Sequence, residues 1–153
     1  MPKGKPTPAQ AELLLRVYDL RREARLRAAR DWLAGNFAPQ SLEEMYKLMP
    51  PGSDPNAYVR QVTGYWEMVC ALLNHGLLHE DLFFETTGEF YLVWVRIQPV
   101  LADLRKQFSK YSFQHLEQAA KRYEKWLERR EPGRVAPMRA MMATPQSMQQ
   151  QRR

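Results

Sequence analysis

The chain has a single cysteine, Cys70, among 153 residues. An internal disulfide framework is therefore excluded, and a reducing compartment, the cytoplasm, is the expectation. Long apolar runs are missing as well. The longest, FYLVWV at 90–95, falls far short of the about 18 residues that a membrane span requires. The opening MPKGKPTPAQ carries no apolar stretch of the kind a secretory signal needs. The seven glycines are scattered, so no phosphate-cradling loop is formed. No CxxC pair and no His-Glu-x-x-His spacing occurs. These absences remove the familiar nucleotide, zinc-ribbon and zinc-peptidase chemistries. No catalytic residue, no cofactor and no metal is expected.

What is present is the material of one helical domain. Hydrophobic residues make up 44% of the chain and aromatic residues 11%, enough for a core and too much for wholesale disorder. The net charge of +6 is unevenly spread: residues 1–35 and 96–153 are basic, and residues 36–95 hold eight acidic against two basic side chains. An acidic partner, nucleic acid or an anionic membrane surface could be drawn to such a field. Equally, the acidic middle can pair with the basic ends inside the fold.

Residues 1–7 read as a flexible N-terminus. Thr7 followed by Pro8 is a helix start, and the spacing predicts one helix from about Pro8 to about Ala34, ended by Gly35 and Pro39. Its apolar residues occupy two flanks, Leu13, Val17, Leu20, Ala24 and Ala28 on one, and Leu15, Tyr18, Leu26, Ala29 and Leu33 on the other. A helix apolar on two sides packs against the bundle and against a second neighbour or a partner chain. Ser41 opens a short helix through the capping box SLEE. Asp54 is expected to cap the next, whose Tyr58, Val62, Tyr65, Val69 and Leu72 recur at helical spacing, with Cys70 and Trp66 widening the stripe. Glu67 beside Trp66 reads as a carboxylate paired with an arginine, or one with a raised pKa.

LLNHGLLHEDLFFETTGEF, 72–90, is the stretch where chemistry could hide. His75 and His79 stand four apart, the spacing of two metal ligands on one helix face. Gly76 lies between them where a left-handed C-cap is needed, so the two are expected to be junction histidines. Leu77 would fold back on the helix, and Thr86 to Glu89 would form a capping box.

Phe90, Trp94, Ile97, Leu101, Leu104 and Phe108 then hold a helical period through Pro99, which predicts a long kinked helix. The rival is a winged helix, with TTGE at a hairpin tip. Ser112 is expected to cap the last helix, with Phe113, Leu116, Ala120, Tyr123 and Leu127 facing inward. The segment 131–153 has prolines, glutamines and four methionines without period, and is expected to be disordered or ordered only by a partner.

YWEMV, NHGLLHEDLFFE, and the Trp and Pro of VWVRIQPVLADLR carry a resemblance. From about Tyr65 to Leu116 the chain resembles a loosely defined family of small bacterial helical proteins whose domain has no assigned function. That implies helical architecture and no established catalytic residues. Some members look tethered to a membrane by an apolar N-terminal helix, which is not read here.

The expectation is thus an all-α irregular bundle of about four main and two short helices over 8–130, with mobile tails. The expected function is a non-enzymatic interaction or scaffold subunit, with a protein partner or self-association, acting through the two-sided first helix and the tail. Candidate contact residues are Arg21, Arg22 and Arg25, which lie between the flanks of the first helix, and Arg134, Arg139, Met141 and Met142 in the tail. The alternative is a nucleic-acid or anionic-surface binder.

Overall fold

Thr7 accepts the backbone N–H of Gln10, and the Gln10 side chain returns a bond to Thr7 N, so a reciprocal cap starts α1, Pro8–Leu20. The computed structural model describes residues 4–145. All of its regular elements there are helices, and no strand occurs among the described residues. After α1 come α2, Ala24–Asn36; α3, Leu42–Leu48; α4, Asp54–Asn74; α5, Glu80–Thr86; α6, Glu89–Gln107; α7, Gln114–Arg130; and α8, Val135–Ala143. The chain is all-α, and residues 90–96 lie in α6, which removes the winged helix.

The single helix expected over 8–34 is two. Glu23 accepts Arg25 N at 3.0 Å and Leu26 N at 2.9 Å, so it caps a new helix. That turn reorients the chain enough for α2 to bury Leu26, Ala29 and Leu33, whereas α1 buries only Val17. Helix α4 is the centre, packed by α2 and α7, with α6 joining α3, α7 and α8 around it. Trp66, Val69 and Cys70 of α4 meet Phe83, Phe84, Phe90 and Tyr123 in a core rich in rings.

Several caps differ from the expected ones by a residue or in kind. Ser53, one before Asp54, accepts Asn56 N and caps α4. Gly88, which has no side chain to offer, caps α6 in place of Thr86, whose hydroxyl donates to Leu82 O at 2.8 Å within α5. Phe113 occupies the N-cap position of α7, in place of Ser112, with φ 56°. Gly76 does end the α4 turn at φ +77°: its N–H reaches Leu73 O, and Leu77 N reaches Leu72 O, both at 3.0 Å. The residue that returns to the core is Leu78, while Leu77 is exposed. Phe108, assigned to the core stripe, is 68% exposed.

The tail also departs from expectation. Helix α8 seats on α6 of its own chain without a partner. Its anchor is Arg96, a 2% exposed side chain whose guanidinium donates to Leu33 O, Ala34 O and Phe37 O at the end of α2 and to Met142 O and Thr144 O at the end of α8. One cation thereby satisfies orphan carbonyls of two helix C-termini, where positive charge is favoured. Burial pulls Arg96 down, to about 10, yet the five carbonyls favour its charged form. Residues 1–3 of the expected flexible start and 146–153 of the expected tail lie outside the described residues. Among the described residues, no helix is long and apolar enough to cross a membrane.

Candidate functional site

The four-residue spacing of Asn56, Arg60 and Gly64, continued by Glu67 and Ala71, sets a second stripe on α4, turned away from its core stripe. This stripe is one side of an open groove of about 700 Å³. Helix α3 supplies Met45 and Met49, α6 supplies Ile97, Leu104 and Phe108, and the turn into α7 supplies Phe113 and His115. Val59, Ile97 and Leu104 are buried at its base, and Met68 and Phe108, 50% and 68% exposed, stand at its lips. Gly64 leaves the wall of α4 low: a Cβ there would meet nothing within 4 Å. The groove is therefore apolar, methionine-rich and open along one side.

Three ionisable groups line it. Both oxygens of Glu67 are engaged, accepting His115 N at 3.0 Å and Leu116 N at 2.8 Å. Glu67 thus replaces the missing side-chain cap of α7 from another helix, and its hydrogen-bond partners are backbone N–H groups in place of the expected arginine. His115 Nδ1 lies 3.1 Å from Asn74 Nδ2. Arg60 is exposed, with no ion pair among the described residues. It is the uncompensated charge of the lining.

The residues expected to make contacts do not gather here. Arg21 and Arg22 lie over the Tyr18 ring, 5.0 and 5.9 Å from its centroid. Arg25 is exposed in the first turn of α2. Glu89 of the acidic middle is taken by Arg30, whose Nε and Nη2 each donate to it at 2.7 Å, and by Trp66 Nε1 at 3.0 Å. Arg139 pairs with Glu124 at 3.0 Å, and Arg134 stands 3.9 Å from Glu131. Met142 packs partly against the core and Met141 is 57% exposed. Arg21, Arg22 and Arg25 lie at the start of α2, whereas Met142 is tied to its far end through Arg96.

The junction histidines have structural partners. His79 Nδ1 accepts Leu82 N and caps α5, and its Nε2 meets Gly4 O. The His75 ring lies 5.7 Å from that of His115. No group of three His, Cys, Asp or Glu side chains arranged to hold a metal occurs among the described residues. Cys70 is fully buried, and burial pushes its thiol pKa up. Much of the acidic middle is consumed internally: Glu80 by Arg122, Glu85 by Arg130 at 3.0 Å, and Asp81 by Trp126 Nε1 at 3.0 Å.

The sequence signals for the groove were a glycine in mid-helix and a phenylalanine at the end of the α6 stripe. Periodicity alone assigns Phe108 to the core, and a lone glycine, Gly64, within a helix does not specify what faces it. No curated protein and no solved structure matches the chain. Residues 6–126 match the family described as Domain of unknown function (DUF4760), a wider span than the resemblance read between Tyr65 and Leu116, and the chain belongs to that family.

Proposed function

We propose that this chain is a non-enzymatic, cytoplasmic interaction subunit, and that its groove between α3, α4 and α6 receives the apolar face of a helix. The observation that carries this is the groove itself: three methionines, Met45, Met49 and Met68, and two phenylalanines, Phe108 and Phe113, around an open apolar trough. Methionine side chains adapt to irregular partners, and helix-in-groove recognition uses such surfaces. Exposed apolar side chains clustered in one concavity mark interaction sites more than scattered ones do. The carboxylates and histidines nearby are occupied as caps and ion pairs, which supports binding over catalysis.

The test is affinity capture from the native cell with three baits: wild type, Met68→Glu and Phe108→Glu. Both residues are exposed, so the variants should melt as wild type does. Proteins held by wild type and lost by both variants support the groove. Identical recoveries on all three baits contradict it.

A second reading, nucleic-acid or anionic-surface binding, is favoured by Arg21 and Arg22, which show no ion pair among the described residues. It requires salt-dependent retention on DNA, RNA or anionic vesicles, with a slope that falls when either arginine is removed. Retention that ignores salt, or none, rejects it.

A further inference from the structure

We propose that the corner between α1 and α2 docks on an anionic lipid bilayer, an inference that rests on the anionic-surface reading above and names the surface. The corner stands out from the fold: every residue from Tyr18 to Arg25 is exposed except the half-buried Arg21. Leu15, Tyr18 and Leu20 are 69%, 51% and 53% exposed. Leu15 and Tyr18 share one side of α1 at i,i+3 spacing, and Leu20 stands at its last position, on the tip of the corner. Three large apolar side chains gathered at one protruding end mark a contact surface.

Basic charge surrounds them. Between residues 16 and 27 stand five arginines, Arg16, Arg21, Arg22, Arg25 and Arg27, against two carboxylates, Asp19 and Glu23. Glu23 is spent on Arg25 N and Leu26 N. With Glu12 of the preceding turn included, the corner stays net basic. The guanidinium groups of Arg21 and Arg22 lie over the Tyr18 ring, and neither makes a hydrogen bond or ion pair among the described residues. Their donors are therefore free for phosphate. The corner is also held in shape: Arg27 Nη2 donates to Arg22 O and Arg30 Nη1 to Arg21 O, both at 3.1 Å. Little order has to be imposed when it docks.

The apolar side chains select lipid over nucleic acid. A phosphodiester backbone would use the arginines and leave Leu15 and Leu20 in water. A bilayer uses both: an arginine cluster is drawn to anionic headgroups, tyrosine settles at headgroup level, and leucines gain by entering the acyl boundary. The placement leaves the groove free. Tyr65 OH donates to Val17 O, and Trp66 borders the cleft beneath Leu14, Leu15 and Tyr18, so α1 rests on the Tyr65–Trp66 flank of α4. The groove runs along the Arg60–Gly64–Glu67 flank. A chain seated on a bilayer by this corner keeps the groove open to a protein partner.

The experiment is co-sedimentation with vesicles of phosphatidylcholine alone and of equal parts phosphatidylcholine and phosphatidylglycerol. Wild type should bind the mixed vesicles, release them as salt rises, and ignore phosphatidylcholine. Replacing Arg21 or Arg22 with Gln should weaken binding about fivefold per arginine lost. Leu20→Asn, which keeps every charge, should weaken it about tenfold. These sites are at the surface, and unchanged melting temperatures confirm the fold. Depth is read by Leu20→Cys carrying a polarity-sensitive dye, since the native Cys70 is buried and stays unlabelled. Its emission should shift to the blue on mixed vesicles, while the same dye on Met141→Cys of α8 should not shift. Binding that ignores Leu20→Asn, or equal shifts at positions 20 and 141, would overturn the inference. So would a wild type that fails to bind mixed vesicles. If that wild type is still retained on single-stranded RNA with a salt slope that falls in Arg21→Gln, the anionic-surface reading stands with nucleic acid as its surface. If it is retained on neither, both readings fall.

Discussion

Glu67 and Leu116 are joined across two helices, with Glu67 Oε2 2.8 Å from Leu116 N. With Oε1 on His115 N at 3.0 Å, one α4 carboxylate does for α7 what an N-cap residue does for its own helix. The bond also fixes the closed end of the groove, because the Phe113–His115 turn lines it. Glu67→Ala is expected to lower stability by about 1–2 kcal/mol, measured by urea denaturation. Glu67→Gln keeps one acceptor and should cost less. A Glu67→Gln variant as stable as wild type, with the loss confined to Glu67→Ala, would mean that the side chain contributes only packing.

Arg96 is the largest single liability in the fold. Arg96→Met leaves five carbonyls at two helix ends without their donor. A loss on the order of 3 kcal/mol is expected. Amide hydrogen exchange should accelerate in α8 before it does in α4, because α8 has no buried residue of its own. Uniform acceleration along the chain would show that α8 is not separately anchored.

Gly64 and Gly76 should respond in opposite directions. Gly76 holds φ +77° with open space where a Cβ would stand, so the cost of Gly76→Val is one of backbone conformation, about 1–2 kcal/mol. Gly64 is helical and unobstructed, so Gly64→Ala should stabilise by about 0.5–1 kcal/mol. Gly64→Leu should hold stability while filling the groove and weakening capture of a partner. Thermal melts and the affinity capture read both.

Acid should act through Glu117. The Lys121 ammonium, and then the Arg105 guanidinium, hold its carboxyl below the ordinary 4.5, against a smaller push upward from partial burial. A group whose pKa is lowered by folding stabilises fully above its unfolded value and loses that contribution as pH falls below it. Between neutral pH and about pH 3 the wild type should therefore lose more stability than Glu117→Gln does. Parallel curves for the two proteins would show that the Lys121 and Arg105 contacts are inert.

What was legible in the sequence was local or periodic. Thr7, Ser41 and Gly76 act on the backbone within a few residues of themselves, and the stripe from Phe90 to Leu104 holds its period through Pro99. The unread parts depend on distance along the chain. Nothing near Glu67 announces that it will accept the amide of His115, 48 residues later, and nothing near Arg96 announces Phe37 O, 59 residues earlier. The break at Glu23 is hidden for a different reason. Its i,i+4 spacing to Arg27 suits a continuous helix, but its carboxylate finds two free N–H groups when the chain breaks there. The groove was hidden because periodicity marks which residues share a face and not whether a neighbour covers it. Phe108 shares a face with buried Leu101 and Leu104 and remains at the rim.

The central claim, that the groove is an occupied binding surface, is tested most directly by replacing Met68 with a photo-crosslinking amino acid in the cell and identifying what it captures by mass spectrometry. The same replacement at Met141, exposed on α8, serves as the control. The expected result is an adduct from position 68 and none of the same identity from position 141. No adduct from position 68, or the same adducts from both positions, would contradict it.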